Sequence, residues 1–571
     1  METAKLPAAI LLDALQNHGV YQAVCSPGSR NTPLLLSIAG REDMQTEVVA
    51  DERAAAFVAL GKAIASGNPV AVVCTSGTAL LNYAPAVAEA YYQGVPLIVI
   101  SADRPVEWID QDDSQTLRQA DALDNFVKGS YDIRSGREDD NYLWYVNRIA
   151  NEGMMRATSP KRGPVHFNIR FDNPLSQPAD ERGLQRIEQF DRNIRTGTTV
   201  RALVREDINA FAHKAAFRKV LLVAGFLRPD AKLNKAVAKL AAIPNVAIAT
   251  ETISNLHISA EAHAIDSLLS YTDETETDRL RPDIVISIGG ALVSRKLKEF
   301  LRATPGLIHW DINDSQTLAD CFKCLSRRIE SNPGDFLNRF ATALTHIQTG
   351  FKTQVPDFGE TWHKLRESAL KSAEKYIKKQ PWSEMRAFDT ILRWIPSNLN
   401  LSLSNGTPIR YAQLIDTPIP HAVYCNRGVS GIDGCVSTAI GEALEYPAQT
   451  VLITGDMSFA YDIAALGTRL APASLTVIVI NNGGGGIFRF IPTTRDLPEE
   501  ERERYFCADP KPPIEGLAAA YGWEYHKATN DKELQKALKH VFTGEAPKII
   551  EVVTDGILSA EILHNYFTRR K

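Results

Sequence analysis

The chain has 571 residues, 44% of them hydrophobic and 23% charged, with a formal net charge of −5 at pH 7. That length exceeds a single hydrophobic core and implies about two to four domains of ordinary globular composition, with no apolar run long enough to span a membrane. The acidic balance excludes an extended surface for a phosphate backbone, so nucleic acid is not an expected partner and any anionic ligand must be met by local arginines.

A helical apolar pattern from Lys5 to Gly19 leads into a short strand, Ala23-Val24-Cys25. Its stretch Leu6 to Leu15 carries Asp13 and lacks a small-residue cleavage site, so it reads as fold rather than signal peptide, and a cytoplasmic protein is expected. The polar turn Ser26 to Pro33 precedes another helix, and Ser29-Arg30 there suits an anion through free backbone N–H groups and a guanidinium; a capped helix start with an exposed arginine is the alternative. Val48 to Ala50 reads as a strand that turns into an alanine-rich helix at Asp51-Glu52, where the helix dipole alone would explain the Glu52 carboxylate. Strands follow at Val70 to Thr75, at Val95 to Ser101 (ending in Ala102-Asp103-Arg104-Pro105) and at Gly163 to Asn168, with a polar loop from Ile109 to Gln115. Strands alternating with helices define a doubly wound parallel sheet whose strand ends line a ligand crevice.

The charged, poorly periodic segment from Gln177 to about Arg201 reads as a linker. The middle third has strands at Val220 to Ala224, Val246 to Ala249, Ile284 to Ile288 and Leu307 to Ile312, without a GxGxxG fingerprint, and is expected to serve packing. Arg295-Lys296, just past Gly289-Gly290, is either a basic pair facing a ligand or a solvated helix start. Cys321-x-x-Cys324 has no second ligand pair and reads as structural, and seven scattered cysteines suit a reducing compartment. A second linker lies near Thr349 to Glu360. The last third repeats the doubly wound pattern with strands at Leu401 to Leu403, Val423-Tyr424, Val451 to Ile453, Leu475 to Ile480 and Ile549 to Val553. Three doubly wound α/β domains are expected, at 1–178, 200–347 and 358–571.

Within the last domain, Thr450 to Pro492 reads as strand, tight turn, helix, second strand and glycine turn. In a parallel βαβ unit both turns fall at one sheet edge. Asp456 and Asn482, 482 − 456 = 26 positions apart, would then offer two oxygen ligands to one hard cation, and Gly483 to Gly486 would let a phosphate approach bare backbone. A polar turn with a mobile glycine hairpin is the bland alternative.

The start at Gly455-Asp456 and the end at Asn481-Asn482 resemble the diphosphate motif of thiamine-diphosphate enzymes. SPGSRNTPL, ADERAAAFVALGKA, TSGTALLNYAPAVAEA, PLIVISADRP and NRGVSGIDG narrow the resemblance to the thiamine-diphosphate-dependent synthases of the menaquinone pathway, over essentially the whole chain. The resemblance implies a thiamine-diphosphate-binding fold, with the cofactor and Mg2+ or Mn2+ held between the first domain of one subunit and the last domain of another, hence a homodimer or homotetramer. It makes Glu52 the catalytic carboxyl group that shares a proton with the aminopyrimidine. Asp456, the Asn482 side chain and the Gly484 carbonyl become metal ligands, with Gly455 and Ser458 at the diphosphate. Ser430, Ile432, Ile487 and Phe488 line the cofactor pocket, Ile432 bending the cofactor under its thiazolium.

The implied reaction is decarboxylation of 2-oxoglutarate and 1,4-addition of the resulting four-carbon carbanion to isochorismate. The carboxylates of both substrates call for Arg30, Arg104, Arg410 and Arg427, supported by Ser29, Gln115, Asn405 and the pair Arg295-Lys296, which stands in the reverse of the family's order. Two departures touch substrate contacts: Ser114 where asparagine is usual, and Gly406 where serine is common, which removes a hydroxyl unless Thr407 supplies it. The rival is another thiamine-diphosphate 2-oxo acid decarboxylase or acetolactate synthase type. The decarboxylases share an adjacent histidine pair in the first domain, where this chain has only His18 and His166, well apart. A non-catalytic scaffold is the other rival, and it has no need of Glu52 together with Asp456 and Asn482.

Overall fold

The structure, a computed structural model, describes residues 2–195, 203–258, 263–313, 318–351 and 353–568. Three sheets succeed one another along the chain. The first contains β1 (Gln22–Cys25), β2 (Gln45–Val48), β3 (Val70–Cys74), β4 (Leu97–Asp103), β5 (Ser130–Arg134) and β6 (Val165–Arg170), in the order β2-β1-β3-β4-β6-β5 with every pairing parallel. The second contains β7 (Val220–Ala224), β8 (Val246–Thr250), β9 (Ile284–Ile288), β10 (Ile308–Ile312) and β11 (Leu325–Ile329), in the order β11-β10-β9-β7-β8, again all parallel. The third contains β12 (Asn400–Leu403), β13 (Ala422–Tyr424), β14 (Thr450–Gly455), β15 (Leu475–Asn481), β16 (Glu524–Ala528) and β17 (Lys548–Val553), in the order β13-β12-β14-β15-β17-β16. Helices cover both faces, which is why β3 (VAVVC) and β4 (LIVISAD) are buried along their whole length, β3 and the first four residues of β4 reading as unbroken apolar runs. The architecture is three doubly wound α/β domains.

By packing, the chain divides into two compact units. The first comprises Met1–Thr198, Asn426–Thr450 and Tyr461–Leu475; the second comprises Thr199–Cys425, Val451–Ala460 and Thr476–Lys571. In the first unit one apolar core joins the helix Leu6–Asn17, the interior strands and the helix Asp140–Thr158. The expected linker from Gln177 to about Arg201 holds a helix, Glu181–Phe190, whose Ile187 and Phe190 are buried in that core; its last part, 196–202, lies outside the described residues. In the second unit one core lies between β7, β10 and the helices Arg205–Ala215 and Pro333–Gly350. A larger one joins the other face of the middle sheet to the third sheet.

The helix that begins at Glu52 is positioned by close packing within the first unit. Asp51 caps it, its side chain accepting from Ala54 N at 2.9 Å, and Gly67 ends it in the left-handed region at φ 73°. This helix, Glu52–Ser66, lies against the helix Cys435–Glu445 through paired glycines. A Cβ on Gly61 would overlap the Thr438 carbonyl, and one on Gly441 would overlap the Val58 carbonyl. The buried Lys62 ammonium then reaches Glu445 Oε1 at 2.8 Å, and Gln22 donates to the same oxygen at 2.8 Å.

Gly441→Ala is therefore expected to push the two helices apart and to cost roughly 1–3 kcal/mol, as overpacking of a tight core does. A lowered urea midpoint measures this; an unchanged midpoint would show that the glycine contact does not hold the Glu52 helix.

Candidate active site

In the second unit β14 ends at Gly455, and Asp456 opens the short helix Asp456–Tyr461. Asp456 is 1% exposed. Its Oδ2 accepts from Gly483 N at 3.0 Å and Gly484 N at 2.9 Å, and its Oδ1 accepts from Met457 N at 2.7 Å. Burial raises the pKa of this carboxyl group, and the three backbone donors oppose that rise. Gly483 and Gly484 sit at φ 77° and 106°, where only glycine is unstrained, and a Cβ on Gly484 would overlap the Cys507 carbonyl. Ser458 is buried two residues beyond Asp456, and the space beside Gly455 is open to 4 Å. Ile487 and Phe488 begin the helix after the glycines, both half-buried, with the Phe488 ring 5.8 Å from that of Phe506.

Asn482 stands across the turn from Asp456. Its Nδ2 donates to Glu384 Oε1 at 2.8 Å, while its Oδ1 is buried and has no hydrogen-bond partner among the described residues. The Gly484 carbonyl accepts from Gly486 N at 2.8 Å and keeps a second lone pair. A buried carboxylate, an amide oxygen lacking a donor and a backbone carbonyl form an all-oxygen set, the chemistry of a hard divalent cation, and the residues fit one. Two residues that sequence reasoning missed hold this set. Arg489 donates to the carbonyls of Asn482 (3.1 Å) and Gly483 (2.7 Å) and pairs with Glu503 at 2.6 Å. Glu384, 2% exposed, is pushed up to about 7 by burial, against the donors of Asn482 and Thr407. Arg489 follows the glycine run in GGGGIFRF and Glu384 opens an ordinary-looking helix, so neither carried a motif. Thr407, whose hydroxyl was a candidate to replace the missing serine at 406, is engaged by Glu384, and Gly406 itself sits at φ 93°.

The first unit gathers a second group at the ends of neighbouring strands. Glu52 is half-buried, and its charge is felt by the buried Cys74 thiol and Tyr83 phenol, whose pKa values rise mainly through burial. Arg30 follows β1 and donates from Nη1 to the Phe171 carbonyl at 3.0 Å. Arg104 follows β4 and pairs with Asp113. Burial lowers the pKa of Arg30, as does neighbouring Arg104, so the two guanidiniums share one region with Asp113, Asp103 and Asp172. Gln115 rests on the end of β3, donating to the Ser76 carbonyl at 2.7 Å and accepting from Ser76 Oγ at its own carbonyl at 3.0 Å. The loop before it holds Asp110, Asp112 and Ser114 at φ 60°, 54° and 51°, a region asparagine enters more readily than serine. Ser29 is exposed.

The loop with Arg427, Ser430 and Ile432 also belongs to this unit. Glu89, 1% exposed, fixes it by accepting from Gly428 N at 2.5 Å and Val429 N at 2.7 Å. Arg427 and Ile432 are half-buried, and Ser430 is exposed at φ 63°. His18 bonds Asn151 at 2.9 Å, and His166 is buried against Ser101 at 2.8 Å, burial pulling it down to about 4.

The remaining basic residues lie in the second unit, where the pair 295–296 divides. Arg295 is turned to solvent and pairs with Glu299 at 2.7 Å, its side chain 71% exposed. Lys296 is turned inward, 5.1 Å from the Phe567 ring, and shares the field of the half-buried Asp266 with Arg410. The start of their helix is locked by Glu251, which accepts from Val293 N and from Ser294 N at 2.6 Å. Asn405 is buried beside Cys425, its Oδ1 3.6 Å from that sulfur.

Comparison with known proteins finds two family matches and relatives over nearly the full chain. The family described as "Thiamine pyrophosphate enzyme, N-terminal TPP binding domain" matches residues 7–123, and "Thiamine pyrophosphate enzyme, C-terminal TPP binding domain" matches 407–552. The chain is 38% identical to a 2-succinyl-5-enolpyruvyl-6-hydroxy-3-cyclohexene-1-carboxylate synthase of Porphyromonas gingivalis, over 99% of this chain and 97% of that one. It is 36% identical to a synthase of the same name from Flavobacterium johnsoniae, over 98% of each chain. A third, from Christiangramia forsetii, is 35% identical over the full length of both.

Proposed function

This chain belongs to the 2-succinyl-5-enolpyruvyl-6-hydroxy-3-cyclohexene-1-carboxylate synthase family of thiamine pyrophosphate enzymes, and we propose that it catalyses the reaction that the family's name describes. The reaction decarboxylates 2-oxoglutarate and adds the four-carbon unit in a 1,4 sense to isochorismate, a transferase step of menaquinone biosynthesis. The observation that carries this reading is the Asp456–Asn482 turn, with its donorless amide oxygen, in a chain that matches those synthases from end to end.

When bound, thiamine diphosphate supplies the nucleophile and the electron sink for decarboxylation. The residues of this chain do the rest. Asp456, Asn482 and the Gly484 carbonyl hold Mg2+ or Mn2+ against the diphosphate, with Gly455 and Ser458 beside it. Glu52 holds the proton at N1′ of the aminopyrimidine, and Ile432, Ser430, Ile487 and Phe488 shape the pocket. Arg30, Arg104 and Arg427, with Ser29 and Gln115, and Arg410 and Lys296, with Asn405, bind the substrate carboxylates; Arg295, facing solvent, contributes charge from the rim. The enzyme acts in the cytoplasm as a homodimer or homotetramer, with Glu52 and Asp456 of different subunits serving one cofactor. No helix among the described residues is long and apolar enough to cross a membrane.

Purified protein with thiamine diphosphate, Mg2+, 2-oxoglutarate and isochorismate is expected to consume both substrates and release a product of the corresponding mass. Consumption of pyruvate in place of 2-oxoglutarate would instead identify an acetolactate synthase or decarboxylase type. Glu52→Gln is expected to retain cofactor binding while losing exchange of the cofactor C2 proton, followed by NMR in deuterated buffer; unchanged exchange would remove Glu52 from the mechanism.

A further inference from the structure

We propose that Glu384 is a positioning residue that fixes which end of the Asn482 amide faces the metal, a role that rests on the cofactor reading above. An asparagine amide presents an oxygen and a nitrogen of nearly equal size, and only the oxygen ligates a cation. Shape alone does not choose between them, so the choice needs a hydrogen-bond partner on one side. At Asn482 the backbone is already pinned: Arg489 Nη1 donates to its carbonyl at 3.1 Å, and the same carbonyl lies so close to Gly556 that no Cβ fits there. The remaining freedom is rotation of the side-chain amide.

Glu384 removes that freedom. Its Oε1 accepts from Asn482 Nδ2 at 2.8 Å, so a flipped amide would set oxygen against oxygen at that distance. Glu384 is itself held, as the first residue of the helix Glu384–Trp394, by its backbone N–H donating to Ser559 Oγ at 3.0 Å and by the Thr407 side chain. Gly486 leaves the contact its room, since a Cβ there would lie 2.5 Å from Asn482 Nδ2 and 3.4 Å from Glu384 Oε1. With Nδ2 taken up by Glu384, Oδ1 is left as a buried acceptor without a donor among the described residues, in the same turn as the Asp456 carboxylate. This is the arrangement in which an outer partner orients a metal ligand, and loss of such partners lowers metal affinity about 10–100-fold.

The test is Mn2+ affinity in the presence of thiamine diphosphate, read from the free-ion EPR signal, for wild type, E384Q, E384L and G486A, each also in the N482D background. An aspartate has two equivalent oxygens and needs no orientation, so a positioning role vanishes in that background whereas a merely structural role persists. E384L and G486A are expected to weaken Mn2+ binding at least about tenfold, E384Q, which keeps an acceptor oxygen, to stay within about threefold, and the losses to disappear with N482D. G486A parts the same two groups without altering Glu384 and decides the matter if E384L does not fold. Losses equal in both backgrounds, or G486A binding as wild type does, would overturn the proposal. A wild-type protein that takes up no Mn2+ with thiamine diphosphate would instead overturn the cofactor reading.

Discussion

The second unit's candidate site depends on one carboxylate receiving backbone. Asp456, at the end of β14, accepts from Gly483 and Gly484, the two residues that follow Asn482 beyond the end of β15. The loops after two neighbouring strands are thereby tied to each other, and the turn conformation is set by contacts that only glycine permits. Arg489 completes the tie from the other side by taking the carbonyls that the same turn turns outward, and Glu503 holds Arg489. A buried carboxylate is costly unless it is hydrogen-bonded, and here three N–H donors offset that cost while leaving lone pairs for a cation.

Charge in this molecule is handled locally, basic side chains being grouped with acids within an acidic chain. Arg30 and Arg104 lie in one region with Asp113, Asp103 and Asp172; Arg104 pairs with Asp113, and these acids oppose the lowering of the Arg30 pKa by burial and by Arg104. Lys296 and Arg410 likewise share the field of the half-buried Asp266. Glu89 and Glu251 do related work on backbone: each takes two consecutive N–H groups and fixes the loop or helix start that carries a basic residue, Arg427 in one case and Lys296 in the other.

The interior strands were legible in the sequence because parallel strands covered on both faces are rich in apolar residues, as β3 and β7 are along their whole length. The strands not read, β5 (SYDIR), β11 (LSRRI) and β16 (EYHKA), are all edge strands with a polar, partly exposed face, so no apolar run marks them. At the remaining edge of the first sheet, β2 runs from Gln45 to Val48, three residues before the apolar Val48-Val49-Ala50 that suggested it. At the site, Asp456, Asn482 and the glycines carry a spacing motif and were legible, while Glu384 and Arg489 were not, because their importance lies in contacts made across 98 and 7 positions of chain with nothing in their neighbourhoods to flag them. The split of Arg295 from Lys296 was likewise hidden, since adjacent helical residues differ only in which face packing buries.

The central claim is that the Asp456–Asn482 turn anchors a metal diphosphate. A crystal of the protein grown with thiamine diphosphate and Mn2+ tests it most directly, through the anomalous signal of the metal. The account predicts one strong peak bonded to the Asp456 carboxylate, Asn482 Oδ1 and the Gly484 carbonyl; a cofactor-bound crystal with the metal on other ligands, or with Asn482 turned so that its nitrogen faces the peak, would contradict it.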